Sequence, residues 1–160
     1  MLQRGFWLYV WRIRTPKGDM LYVGRTGSHS GASAASPLIR LGKHLDFVEP
    51  TKGVLLQLQG QGVSLEACDE TELVSYGPLF PEVTARGAAS REDQIRRHQI
   101  SRDVLAGLEK QLRDALDQCG YQVLNTVSSR KPVDAALWAD VKAAFAKHFP
   151  KLKECEEETE

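Results

Sequence analysis

Six residues stand out by type and order: Tyr9, Tyr22, Arg40, His44, Glu109 and Asn125. Two phenols, a guanidinium, an imidazole, one carboxylate and one terminal amide would suit a one-metal phosphodiesterase. A phenol can orient an attacking water and manage its proton, although its ordinary pKa of about 10 demands help from a nearby cation or metal. A guanidinium presents several donors in a fixed plane and offsets charge gathering on phosphoryl oxygens, which suits Arg40 as a phosphate clamp. His44 lies one helical turn beyond Arg40, so the two can address one region, and its near-neutral pKa lets it accept or relay a proton. Glu109 is a hard oxygen donor of the kind Mg²⁺ prefers while keeping several waters, which makes it the candidate metal ligand. The Asn125 amide could bind phosphate or secure a sheet edge.

These groups must be positioned by elements that the pattern sketches. Phe6 to Arg14 is aromatic and β-branched, Pro16-Lys17-Gly18-Asp19 reads as a turn, and Met20 to Gly24 is a second apolar run, so a β-hairpin is predicted, with a turn slightly longer than the two-residue minimum. A Gly/Ser/Ala stretch over 27–37 leads into a helix with Ser36 as cap and Pro37 in its first turn. In that helix Leu38, Leu41 and Leu45 share one face, with Arg40, Lys43 and His44 on the polar side. Gly53 to Leu58 is predicted as a third strand, and 66–88 carries mixed loop and short-element signals. From Ser90 a polar helical stretch runs into an apolar stripe of Val104, Leu105, Leu108, Leu112, Ala115 and Leu116, which Gly120 ends. Tyr121 to Asn125 reads as a short extended segment, and Pro132 to Phe149 as a last helix packing through Leu137, Val141, Ala144 and Phe145.

The 160 residues suffice for one hydrophobic core and are too few to favour two, so a single domain over 1–153 is predicted, followed by a solvated acidic tail over 154–160. With 42% apolar and 26% charged residues, the composition is that of a folded soluble chain. No apolar run approaches the roughly 20 residues needed to span a bilayer, and the amino terminus lacks the apolar core of a signal peptide, so a cytoplasmic address without membrane is expected. Cys68, Cys119 and Cys155 are widely spaced and contain no CxxC pair, which predicts reduced thiols rather than a disulfide framework or cysteine zinc site. A formal net charge of zero argues against a protein that coats nucleic acid through many phosphate contacts. The charge is uneven, however: residues 1–44 hold seven Lys or Arg and one acid, Asp19, enough for a local positive face.

The ordered set Leu8-Tyr9-Val10, Tyr22-Val23-Gly24, Arg25-Thr26, Arg40-Leu41-Gly42-Lys43-His44, Glu109 and Asn125 resembles the GIY-YIG nuclease superfamily over about Phe6 to Asn125. The resemblance implies an α/β fold of the α+β type, a small central antiparallel β-sheet flanked by helices. It also implies a metal-dependent DNA endonuclease that leaves 5′-phosphate and 3′-hydroxyl ends. Tyr9, Tyr22, Arg40, His44 and Glu109 would be catalytic, Glu109 would hold Mg²⁺ or Mn²⁺, and Arg25, Lys43 and Asn125 would contact nucleic acid. Lys17 and Arg12 are further candidates for nonspecific phosphate contacts, whereas His29 and His98 have no such support. Three features depart from the pattern. The first motif lacks its usual glycine, the interval from Gly24 to Arg40 is lengthened, and some 64 residues separate His44 from Glu109. These departures bear on substrate choice more than on the basic reaction. DNA is the expected partner, RNA is also compatible, and a homo-oligomer or accessory protein could supply further contacts. Two competing readings are a noncatalytic DNA-binding or DNA-end recognition module on the same fold, and a protein-interaction domain with a satisfied aromatic core.

Overall fold

A computed structural model describes residues 2–28, 33–44 and 53–157, with the side chains of Leu41, Lys43, His44, Glu156 and Glu157 excepted. His29 and Leu45 lie outside the described residues. The elements in chain order are β1 (Gly5–Thr15), β2 (Gly18–Arg25), α1 (Pro37–His44), α2 (Val54–Gly60), β3 (Glu70–Pro81), α3 (Arg91–Gln118), β4 (Gln122–Val123), α4 (Ala135–Ala146) and α5 (Lys151–Glu157). The fold is mixed α/β, with a small four-stranded sheet flanked by helices.

β1 organises that sheet, whose order is β3-β1-β2-β4. Phe6 through Trp11 are all buried because this part of β1 is covered on both faces, and residues 6–11 are correspondingly apolar without alternation, whereas Arg12 and Arg14 alternate with buried Trp11, Ile13 and Thr15. Leu8 and Val10, with Leu21 and Val23 of β2, pack against Leu105, Leu108, Leu112 and Leu116 of α3, against Val141 and Phe145 of α4, against Phe149 between α4 and α5, and against Leu152 of α5. On the other face Tyr9, Trp11, Ile13 and Met20 meet Val54 and Leu58 of α2 and Val63.

The β1–β2 hairpin forms as the sequence predicts, but its turn is tighter. Thr15 pairs with Gly18, so only Pro16 and Lys17 form the loop. Thr15 Oγ1 donates to the Gly18 carbonyl at 2.8 Å and accepts from Lys17 N at 3.1 Å, while Gly18 takes φ 103°, a conformation that favours glycine. β4 runs parallel to β2, through Met20–Gln122 and Leu21–Val123, so the expected all-antiparallel sheet is antiparallel in three strands and parallel at one edge.

Two predicted elements are corrected. The segment read as a third strand is α2: Val54, Leu55 and Leu58 are buried while Leu56 is 43% exposed. Helical spacing puts 54, 55 and 58 on one side, whereas a strand would have grouped 54, 56 and 58. The third strand is instead β3, antiparallel to β1 within the region of mixed signals. β3 is an edge strand, where a proline such as Pro78 is tolerated because one side of the backbone needs no ladder partner. Its acids meet β1 arginines directly across the register, Glu72 opposite Arg12 and Glu70 opposite Arg14.

α3 is one continuous helix of 28 residues, about 42 Å long. Ser90 caps it by accepting from Asp93 N at 3.1 Å, and Gly120 follows its end at φ 76°. The last predicted helix is two: α4, capped by Asp134, and α5, in which fully buried Leu152 anchors the segment. Val141 and Phe145 pack as expected, whereas Leu137 is only partly buried. Part of the predicted acidic tail is helical, since α5 continues to Glu157. Cys119 and Cys155 form a disulfide with Cα atoms 5.8 Å apart, correcting the expectation of three reduced thiols. In α1, Ser36 Oγ accepts from Ile39 N at 3.4 Å, but Leu38 is 44% exposed, so it does not form the buried face its spacing predicts. Among the described residues no helix is long and apolar enough to cross a membrane.

Leu108 sits fully buried where α3 meets the sheet. Leu108→Ala should therefore lower the unfolding free energy by about 2–5 kcal/mol, read from urea denaturation; a change below about 1 kcal/mol would contradict this packing.

Candidate active site

The site is assembled from four elements. Tyr9 projects from β1, Tyr22 from β2, Arg40 from α1 and Glu109 from α3. Tyr9 pairs across the strands with Gly24, and Tyr22 pairs with Trp11. The two phenols are thus diagonal neighbours on one face rather than directly opposed, a separation still within reach of aromatic side chains. Gly24 is required by this arrangement: a Cβ there would lie 2.5 Å from the Tyr9 ring and 2.6 Å from its hydroxyl. The second tyrosine motif therefore carries its glycine to make room for the first tyrosine.

Arg40 hydrogen bonds to the Tyr9 phenol, and its charge reaches Tyr22 and Glu109 as well. Glu109 is held by Arg25, whose Nε donates to Oε2 at 2.8 Å while its Nη1 donates to the Arg102 carbonyl at 3.3 Å. Both side chains of this pair are 15% exposed, so the ion pair is largely withdrawn from water. Arg25, expected at a phosphate, has its guanidinium engaged by the carboxylate of Glu109.

Asn125 is buried and pins β2 beyond the end of β4. Its Oδ1 accepts from Val23 N at 2.9 Å and its Nδ2 donates to Val23 O at 2.8 Å, copying a strand's hydrogen-bond pair. Of the two roles open to this amide, the geometry places it on the sheet. Arg113, one turn beyond Glu109 on α3, donates to the Asn125 carbonyl at 3.0 Å, coupling the helix that bears the carboxylate to the strand edge. Its four-residue spacing from Glu109, which puts both on one face of α3, is the sequence signal for this residue. Thr26, which follows Arg25 in the motif, has a positioning role that its type did not announce: its hydroxyl accepts from Trp7 N at 2.8 Å and donates to Gly5 O at 2.6 Å, fixing the start of β1 beside Tyr9.

Lys43 and His44 belong to α1, three and four residues past Arg40, but their side chains lie outside the described residues. Arg12 and Lys17 are not part of the cluster. Arg12 bonds Glu72 and lies over the Phe149 ring at 5.4 Å, and Lys17 Nζ donates to Gln61 O at 2.7 Å. His98 is buried against Phe6, with ring centroids 5.0 Å apart, away from the tyrosines' face.

Burial dominates the electrostatics. It pushes the Tyr9 phenol well above its ordinary range, against the pull of Arg40, and raises Tyr22, where Glu109 adds to the effect and Arg40 opposes it. Burial likewise raises the Glu109 carboxyl, opposed by Arg25 and Arg40. A carboxylate so placed gains from any further cation. Among the described residues no group of three or more His, Cys, Asp or Glu side chains is gathered as a metal site. Among the described residues the cluster brings together one carboxylate, two phenols and two guanidiniums.

No protein-family model, no curated protein and no solved structure matches the chain.

The shift at Tyr9 has a definite sign. A phenol whose folded pKa exceeds its unfolded value contributes stability that is complete below about pH 10 and is lost as pH rises through the folded pKa. Tyr9→Phe should flatten the alkaline fall in stability above about pH 10, measured by urea denaturation across pH; an unchanged slope would contradict the buried phenol.

Proposed function

We propose that the chain is a divalent-metal-dependent DNA endonuclease on a fold resembling that of the GIY-YIG nucleases. The reading is carried by one observation, the convergence of Tyr9, Tyr22, Arg40 and Glu109 from four elements at one largely enclosed place. Structural tyrosines explain a packed sheet face, but not the drawing of a guanidinium and a carboxylate onto the same two phenols.

The residues fit a metal in the single-carboxylate mode, in which Mg²⁺ keeps waters and borrows phosphate oxygens. Glu109 supports this because its carboxyl is made costly to ionise by burial, and a cation relieves that cost. Mg²⁺ or Mn²⁺ bound there would polarise the phosphate and neutralise charge on the departing 3′ oxygen. The remaining chemistry belongs to side chains. Arg40 steadies the scissile phosphate with its planar donors while keeping Tyr9 oriented. Tyr9 and Tyr22 fix the attacking water in line. Its proton leaves by way of one of these phenols with His44, one helical turn from Arg40, as relay. The P–O3′ bond breaks as the water oxygen bonds to phosphorus, giving a 5′ phosphate and a 3′ oxygen that takes up a proton. Glu109 would hold the metal in exchange for, or together with, its bond to Arg25, and Lys43 would add a phosphate contact.

A second reading, a noncatalytic DNA-binding module on the same fold, is favoured by the direct Arg25–Glu109 pair, which a purely structural site would also hold.

Single-stranded, duplex and branched DNA should be offered to wild type, Glu109→Gln and Arg40→Ala with Mg²⁺, Mn²⁺ or chelator. Metal-dependent cleavage by wild type is expected, with Arg40→Ala slower by roughly 10²–10³-fold and Glu109→Gln reduced at least as much. Intact DNA from folded wild type that still binds it would establish the second reading, and cleavage unaffected by Glu109→Gln would remove the metal assignment.

A further inference from the structure

The helix that carries Glu109 runs well past the cluster. α3 begins 18 residues earlier, at Arg91, a distance of five whole turns and about 27 Å. At about 100° per residue, Arg91 and Glu109 project in the same direction, with Arg102 about 20° and Ile95 about 40° from them. The three acids in this half of the helix project elsewhere: Glu92 about 100° away, Asp103 about 120° and Asp93 about 160°. Arg96 and Arg97, each more than about 100° from the Glu109 direction, both reach Asp93, at 2.7 and 3.7 Å. Charge along this half of α3 is therefore sorted. The acids lie around the helix with Arg96, whereas the line that leads to Glu109 carries arginine without acid.

The fold fixes both arginines of that line without neutralising them. Arg91 is exposed, and its Nη1 donates to the neutral Oε1 of Gln94 at 2.7 Å; Gln94 is buried and is itself fixed by donating to Val83 O at 2.8 Å. The Arg91 guanidinium is thus oriented and keeps its charge. Arg102 touches Asp103 at 3.5 Å, the limit of a hydrogen bond, and Lys131 holds that carboxylate more closely, at 2.7 Å. The Arg102 carbonyl accepts from Arg25, the residue that also bonds Glu109, so the line is joined to the cluster by a direct hydrogen bond. Ile95, 40% exposed, lies between the two arginines.

Two guanidiniums in line with those of Arg25 and Arg40 suit a ligand whose negative charge repeats, and planar donors suit phosphate in particular. Among the described residues no exposed side chain on this line is aromatic, so unpaired bases would find nothing to stack on, and contacts fall to a backbone whose bases stay paired. We infer that the line from Arg91 to Arg102 on α3 binds the phosphate backbone of duplex DNA on one side of the Tyr9, Tyr22, Arg40 and Glu109 cluster. The inference rests on the DNA partner of the proposed function and not on its chemistry. A chain of zero net charge then engages DNA along one line of its surface instead of through a basic composition.

The test uses the full chain in chelator, where no metal-dependent cleavage occurs, with anisotropy of a labelled duplex of about twenty base pairs, longer than the line at 3.4 Å per step. Arg91→Gln/Arg102→Gln should weaken binding by roughly 10- to 100-fold at about 0.1 M salt. It should also lower the slope of log affinity against log salt by about 1.8, some 0.9 per phosphate contact removed. Arg96→Gln/Arg97→Gln removes equal charge from elsewhere on the same helix and should leave affinity and slope unchanged. Arg91→Gln and Arg96→Gln alone, both at exposed side chains, carry the comparison if a double variant fails to fold in thermal unfolding. No duplex binding by wild type, equal losses in the two pairs, or tighter binding of the matching single strand would overturn the inference. In Mg²⁺, duplex that is bound through Arg91 and Arg102 but left intact would support the inference while removing the nuclease reading. Cleavage at unchanged KM by Arg91→Gln/Arg102→Gln would overturn the inference and leave the nuclease reading in place.

Discussion

Burying a carboxylate is costly unless a cation accompanies it, and in this molecule Glu109 meets that constraint through Arg25 at the end of β2. The pair fixes more than two side chains. It ties the middle of a 28-residue helix to the strand that carries Tyr22 and Gly24, while Arg25 also takes the Arg102 carbonyl on the same helix. Asn125 and Arg113 close the loop from the other side, the first copying a strand partner onto Val23 and the second holding the Asn125 carbonyl to α3. Removing Arg25 alone would leave a charge stranded in a low-dielectric setting, whereas a metal on Glu109 would replace it without that loss.

The opposite side of the cluster depends on sterics and on an anchor some distance away. Tyr9 can lie over β2 only because position 24 has no side chain. Arg40 meets that phenol because the chain entering α1 is fastened to the sheet: Gly5 N donates to Ala34 O, and Ala34 N donates to Glu82 at 2.8 Å. Glu82 is in turn held by both guanidinium arms of Arg4, which keep its carboxyl below the usual range. A pair of surface charges at the ends of β1 and β3 thus sets where the catalytic arginine candidate starts its helix.

What could be read in advance follows from how local each signal is. The β1–β2 hairpin, the α1 start at Ser36 and Pro37, and the end of α3 at Gly120 rest on nearest-neighbour chemistry, and all appear where the residues indicate. The run 53–58 was too short for a period to emerge, so its helix depended on tertiary burial, visible only in the exposure of Leu56. β3 was hidden by acids and by Pro78, which suit an edge strand whose partner lies some sixty residues away, as in Arg12–Glu72. The disulfide was equally nonlocal, since Cys119 and Cys155 meet only because α4 and α5 double back. For the cluster, residue types and order were legible, but their spatial relations were not. The diagonal setting of the tyrosines, the engagement of Arg25 by Glu109 and the use of the Asn125 amide on the sheet all depend on register and on long-range packing.

The most direct test of the cluster as a phosphodiesterase site is a crystal structure of the wild-type protein with Mn²⁺ and a cleavage-resistant phosphorothioate DNA. The account predicts anomalous density for Mn²⁺ on the Glu109 carboxylate, with a phosphate within hydrogen-bond distance of Arg40 and beside Tyr9. Manganese bound elsewhere, with the Arg25–Glu109 pair intact and DNA away from the tyrosines, would contradict it.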